Sequence, residues 1–234
     1  MKTEIIGAES LGVRSLCCRI TLSDRRIVID PGVALGYKRE GLLPHPVQVA
    51  VGRQVRQKII ELLEAATDVV FSHYHGDHVP LKDANPYQMP FHALPARFWQ
   101  LPCWCKSSDD LSSEMQKRFE DLKENSGENM VVAEGRIEGP LAFSHAVSHG
   151  MPDSRMGTVM MTRVREGGKI FIHASDIQLL NDAAVDQVLS WHPDIVLAGG
   201  PPLYLARLGS DERHIAWENA LRLAKQVDSL ILDH

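Results

Sequence analysis

Four side chains able to bind a metal ion stand close together in this chain: His73, His75, Asp77 and His78. Imidazole suits zinc, iron, manganese or copper, and a carboxylate beside it favours a hard or borderline cation. The spacing carries more than the count. His73 and His75 are two apart, so an extended or turning segment can aim both rings the same way. Gly76 is read as permitting a backbone turn that a Cβ would resist. Asp77 and His78 then fall beyond the turn, where they can face a second metal. The competing reading is a histidine-rich surface loop that ligates nothing.

Two kinds of element must hold this cluster. Residues 68–71 are a short apolar run that ends where the ligands begin, so they are read as a buried strand. Residues 53–66 place Val55, Ile59, Leu62, Leu63 and Ala66 at helical spacing, with Arg56, Lys58, Glu61 and Glu64 on the other side. An amphipathic helix that feeds a strand with ligands at its end is α/β construction. Earlier, residues 3–8, 13–21 and 26–29 read as strands, and the third ends at Asp30-Pro31-Gly32. Residues 33–50 carry two glycines and two prolines and read as loop.

After His78 the proline density of residues 79–110 denies long regular elements. A charged helix is expected over residues 111–124. Phe91, Phe98, Trp99 and Trp104 either line a pocket or form a small core. Further strands are expected at 130–133, 141–147, 157–165, 169–173, 194–198 and 230–232, and helices at 183–190 and 211–226. Glu166-Gly167-Gly168 reads as a hairpin turn. Gly199-Gly200-Pro201-Pro202 reads as a turn delivering a strand end, too weak a signal for a phosphate loop.

The H-x-H-x-D-H pattern resembles the signature of the metallo-β-lactamase superfamily, and more narrowly its archaeal metal-dependent hydrolase-like branch. The resemblance runs along the chain in order through Asp30, the His73–His78 cluster, His149, Asp176 and His234. It implies an α/β fold, the αβ/βα four-layer sandwich of two mixed sheets with helices outside. It implies one domain over residues 1–234, with a proline- and aromatic-rich insertion at about 79–128. It implies two divalent metal ions. Metal 1 would take His73, His75 and His149, metal 2 would take Asp77, His78 and His234, and Asp176 would bridge them. Asp30 would support the metal loop by hydrogen bonding to a ligating histidine.

Each of the later positions has a rival reading. Asp30 before Pro-Gly can simply start a turn. His145 competes with His149, which is preferred because it stands at a strand end beside Gly150. Asp176 can cap a following helix. His234 is the last residue of the sequence, and chain ends usually fray. A ligand there leads us to expect a natural chain that continues.

Zinc is the expected metal, and iron or manganese suits the same ligands. His75 stands where the family's oxygen-reducing di-iron branch has Glu, which favours hydrolysis over redox chemistry. Water held between two cations loses its proton easily, with a pKa of about 7 on zinc against ~15.7 in bulk. The expected reaction is attack by that hydroxide on a small ester, thioester, lactone or phosphodiester. Asp77 would orient the nucleophile or shuttle its proton. The alternatives are an RNA- or DNA-processing nuclease of the same fold and a non-enzymatic metal-binding protein.

Composition narrows these. Of 234 residues, 44% are hydrophobic and 24% charged, which is enough apolar material for a soluble core. A net charge of −5 argues against broad electrostatic capture of nucleic acid, leaving only a local basic patch. No apolar run approaches the ~20 residues that span a bilayer. The first residues lack a signal-peptide core, so a cytoplasmic protein with a small-molecule substrate is expected. Cys17, Cys18, Cys103 and Cys105 are expected to be reduced and packed. Cys103-x-Cys105 is too tight for the usual zinc pair.

Overall fold

The computed structural model describes residues 1–38, 41–152, 155–206 and 208–233. The chain divides into two compact units, Met1–Val132 and Ala133–His234. Each unit contributes one six-stranded mixed sheet with helices. The α/β class with two mixed sheets and helices, expected from the sequence, is what the chain adopts.

The first unit contains β1 (Lys2–Ile5), β2 (Cys18–Thr21), β3 (Arg26–Ile29), α1 (Pro46–Ala65), β4 (Asp68–Phe71), β5 (Cys103–Cys105), α2 (Ser113–Ser126) and β6 (Met130–Val132). The strands follow one another across the sheet in chain order. Pairing is antiparallel from β1 to β3 and parallel from β3 to β6. The parallel half is buried as parallel strands require: all four residues of β4 are buried. Helix α1 begins two turns earlier than its apolar spacing suggests. Pro46 takes the first turn, where its missing N–H costs nothing, and His45 Nδ1 accepts from Val47 N at 3.2 Å. Its Ile59, Leu62 and Leu63 pack into the core of this unit.

Two readings of the first unit need correcting. Residues 13–17 are not strand. Cys17 N instead donates to Ser15 Oγ at 3.1 Å, and Ser15 Oγ donates to Gly32 O at 2.7 Å, so a local side-chain network replaces the ladder. The irregular stretch after His78 also contains a strand, β5, which pairs in parallel with β4 and β6. The aromatic residues there are core. Phe98 is buried, Phe91 and Trp99 pack against it, and the Phe91–Trp99 and Phe98–Trp99 ring centroids are 4.8 and 4.9 Å apart. All four cysteines are buried and none is in a disulfide. Burial pushes the Cys17, Cys18 and Cys103 thiols up from their ordinary range.

Strand β4 is anchored at its first residue. On the buried Asp68 carboxylate, Oδ2 accepts Arg25 Nε at 3.0 Å and Thr67 Oγ1 at 2.6 Å, and Oδ1 accepts Trp104 Nε1 at 3.1 Å and Arg25 Nη2. Burial alone pushes this carboxyl up, but those donors together outweigh it and hold it below the usual range. A carboxyl lowered in the folded state contributes stability above the unfolded value of about 3.9 and loses it as pH falls through the folded value. Urea melts between pH 3 and pH 7 should therefore weaken below about pH 4, and less steeply in Asp68→Asn. An identical acid limb in that variant would remove Asp68 from the account.

The second unit contains β7 (Ile137–Glu138), β8 (Leu141–Phe143), β9 (Val147–Ser148), β10 (Thr158–Val159), β11 (Thr162–Glu166), β12 (Lys169–His173), α3 (Asp182–Ser190), β13 (Ile195–Ala198), α4 (Ser210–Ala224) and β14 (Ser229–Leu232). Its main sheet runs β14-β13-β12-β11-β8-β7, parallel from β14 to β12 and antiparallel beyond. Strands β9 and β10 form a separate antiparallel ribbon. Residues 141–147 and 157–165, each expected as one strand, are thus each split in two. The β11–β12 turn closes with Glu166 opposite Lys169 and with positive φ at Gly167 and Gly168, the geometry only glycine takes freely. Among the described residues no helix is long and apolar enough to cross a membrane.

Candidate metal centre

In the first unit three parallel strands end side by side. Asp30 follows β3, Ser72 and His73 follow β4, and Lys106 follows β5. Asp30 N donates to Val70 O at 2.9 Å and Lys106 N to Phe71 O at 3.1 Å, so the three ends are held in register. The carboxyl ends of parallel strands are where α/β sheets place their sites.

Asp30 is fully buried and has φ of +50°, a left-handed conformation that Asp tolerates better than most residues. That turn swings its carboxylate across to the next strand. Oδ1 accepts Ser72 N at 2.8 Å, and Oδ2 accepts Ser72 Oγ at 2.5 Å. His78 Nδ1 also lies 3.0 Å from Oδ2. Ser72 Oγ is in turn 2.9 Å from His73 Nδ1.

This network sets the imidazoles. The Ser72 hydroxyl has one proton, and it goes to Asp30, so the oxygen accepts from His73 Nδ1–H. Acting as donor to a carboxylate, His78 Nδ1 is protonated too. When neutral, both rings then present an unprotonated Nε2, the lone pair a cation needs. His73 Nε2 lies 2.9 Å from His75 Nδ1. With zinc–nitrogen bonds of about 2.0–2.1 Å, two ligands of one tetrahedral ion stand about 3.3 Å apart. The two nitrogens are near enough to share one cation after a small separation. The His73 and His78 ring centroids are 4.2 Å apart, and one ligand atom from each of Asp30, His73 and His78 falls within 4.8 Å. The donor set and its spacing fit a divalent metal.

Asp77 is placed differently. Its Oδ2 meets Arg14 Nη2 at 2.9 Å. Gly76, between His75 and Asp77, lies in a turn without a positive φ. It is glycine for space: a Cβ would lie 2.9 Å from Gln88 Nε2 and 3.1 Å from Leu81 Cδ1. Gly32 is tighter still, since a Cβ there would lie 2.4 Å from His78 C and from Val79 N. The Asp-x-Gly turn after β3 thus lets the motif's own backbone pass against it.

In the second unit His149 directly follows β9 and is buried, whereas His145 is exposed and lies over Gly135. His149 Nε2 is 3.5 Å from Asp176 Oδ2. His149 O accepts Gln178 N at 2.9 Å, which ties the two segments together. Asp176 follows β12 after Ser175, whose φ is +57°. Asp176 does not cap α3, because Asn181 Oδ1 does so by accepting Ala183 N at 2.9 Å. Gly199 is pressed against Asp176, with a Cβ due 3.1 Å from its Cα. His173 is fully buried within β12. His234, expected to ligate metal 2, lies outside the described residues.

Sequence reasoning passed over Ser72, Arg14 and Arg118. Ser72 could have been suspected from its place between an apolar strand and the first histidine. The arginines could not, because their partners are distant in sequence. Arg118 Nη1 donates to Tyr74 O at 3.0 Å, and Tyr74 donates its hydroxyl to Lys106 O at 2.5 Å, so the loop is braced from two sides.

No family model matches the chain. It is 48% identical over 238 residues to a UPF0282 protein of Methanosarcina mazei, covering 100% of this chain and 77% of that protein. It is 33% identical over 244 residues to a UPF0282 protein of Pyrococcus horikoshii, covering 100% and 80%. Remote structural likenesses include an isothiocyanate hydrolase from Delia radicum gut bacteria, at 15% identity and TM-score 0.49, covering 79% of this chain and 68% of that one. Another is AidC, a dizinc quorum-quenching lactonase, at 11% identity and TM-score 0.47, covering 80% and 72%.

Proposed function

We propose that this chain, which belongs to the UPF0282 family, is a hydrolase that works with two divalent metal ions, zinc first among them. The observation that carries the reading is the Asp30–Ser72–His73–His78 network, which leaves Nε2 of both rings as a lone pair. A surface histidine cluster has no need of a buried carboxylate that fixes ring tautomers. We assign His73, His75, Asp77 and His78 as ligands in the first unit. In the second unit we assign His149 and Asp176 the ligand role that the sequence resemblance gives them.

Metal ions so held supply Lewis acidity, lowering the pKa of water and polarising a carbonyl or phosphoryl oxygen. The chain's own residues do the rest. Asp30 and Ser72 keep the rings from rotating, so the lone pairs are aimed before any ion or substrate arrives. Arg14 holds one Asp77 oxygen and leaves the other for a ligand or a proton. The substrate class is a small ester, thioester, lactone or phosphodiester.

Elemental analysis of protein purified without chelator tests the reading, and about two equivalents of metal are expected per chain. Chelation should abolish turnover of a panel of those four substrate classes, and added zinc should restore it. A chain that takes up no zinc, iron or manganese at micromolar concentration would not be this enzyme.

A further inference from the structure

Beside the motif, within the first unit, lies a cleft of about 300 Å³. His75 and Asp77 form part of its wall, and Arg14, Arg118, Asn85 and Gln88 face it as well. That volume is at the lower end of those that hold small molecules, about 300–1,000 Å³.

The polar groups of this cleft are almost all donors. Asn85 Oδ1 already accepts Tyr87 N at 2.9 Å, and Gln88 Oε1 accepts Asn85 N at 3.0 Å. Each amide oxygen is turned to the backbone, so each side chain directs its NH₂ group the other way. The Gln88 NH₂ and Arg118 Nη2 both stand over Gly76, where a Cβ would lie 2.9 and 3.5 Å from them. Arg118 gives one N–H to Tyr74 O and one to Glu114. A guanidinium has five, so most of its donors remain for a ligand. Arg14 contributes a second guanidinium, and it already covers the Asp77 carboxylate, the acidic group of the wall. Arg14 also pairs with Glu9 through Nε at 3.5 Å, and the N–H groups that the two guanidiniums keep beyond these partners, with the two amide donors, match the oxygens of an acid anion.

We infer that this cleft binds an anionic oxygen-acid group of the substrate, a carboxylate or a phosphate, beside the bond that reacts at the motif. The inference rests on the hydrolase reading for its reaction, but the binding it describes does not require the metals. A neutral ester of the same size would offer these donors weaker acceptors than an acid anion does, which favours the anion.

The test is calorimetric titration of metal-free protein with inorganic phosphate and, separately, with succinate. At least one should bind with a Kd in the millimolar range or tighter. Arg14→Gln and Arg118→Gln should each weaken it by about tenfold or more, since hydrogen bonds to charged groups are worth that much. Arg118→Lys should lose less than Arg118→Gln. Circular dichroism melts identify any variant that has unfolded, and Arg14, half exposed, supplies the arm least exposed to that failure. Stronger binding of phosphate assigns a phosphoester substrate, and stronger binding of succinate a carboxylate-bearing one. If neither anion binds the intact protein, or if both glutamine variants bind as it does, the inference is wrong. Metal content and chelator-sensitive turnover are untouched by that result, so its failure is separable from failure of the hydrolase reading.

Discussion

His73→Ala should remove bound metal and metal-dependent turnover while the protein stays folded. The ring is one of a facing pair, with its Nε2 2.9 Å from His75 Nδ1, and it also ends the hydrogen-bond chain that starts at Asp30. Its loss leaves His75 without its neighbouring ligand and Ser72 Oγ without its donor. Asp30→Asn should give a graded version of the same effect. Asparagine tolerates the +50° φ, so the turn survives. One carboxylate oxygen becomes an NH₂ group, however, and either Ser72 N or the Ser72 and His78 donors then face another donor. Outer partners of metal-bound histidines are typically worth 10–100-fold in affinity, and about that loss is expected here. Competition with a metal-sensitive chelator dye measures both variants. Wild-type affinity in Asp30→Asn would mean that the buried carboxylate serves the turn alone.

The second large effect belongs to a residue with no side chain. Gly32→Ala would set a methyl carbon 2.4 Å from two backbone atoms of residues 78 and 79 and 2.7 Å from Asp77 C. Overpacking a core against side chains costs about 1–3 kcal/mol, because rotamers give way. Backbone held between a strand end and a ligand loop has no such freedom. The expected cost exceeds that range, or else the loop moves and metal binding falls with it. Urea unfolding and metal content on one preparation separate the two outcomes. A variant with native stability and full metal content would show that residues 77–79 can shift freely.

Much of this was legible in the chain. The H-x-H-x-D-H spacing pointed to the candidate site, because ligands close in sequence can share a turn. Strands β4 and β12 were readable to the residue: a buried parallel strand is a continuous apolar run, and the other leads out of a Gly-Gly turn. Strand β5 was not. It has three residues, follows Pro102, and is a strand only because β4 and β6 lie on either side of it. The first turns of α1 were hidden by Pro46, which breaks a helix everywhere except where it stands. At the site, the roles of Ser72, Arg14 and Arg118 depend on partners brought near by folding, and no local pattern encodes them. Gly76 was read as a turn residue that resists a Cβ, and it lies in a turn where the crowding comes from Gln88 and Leu81.

The four buried thiols bear on how the protein can be handled and watched. Cys17, Cys18, Cys103 and Cys105 all belong to the first unit and are buried in the folded chain, Cys103 keeping a 5% exposure. Alkylating reagents attack the thiolate; burial limits access to all four sulfurs and pushes the Cys17, Cys18 and Cys103 thiols up. Air and mild oxidants have no exposed thiol with which to cross-link molecules, and soft contaminant metals find no open sulfur to compete with the histidines. A reagent that colours these cysteines can do so only when the sheet around them opens, so its rate of reaction is a clock for the unfolding of the half of the chain that carries the motif.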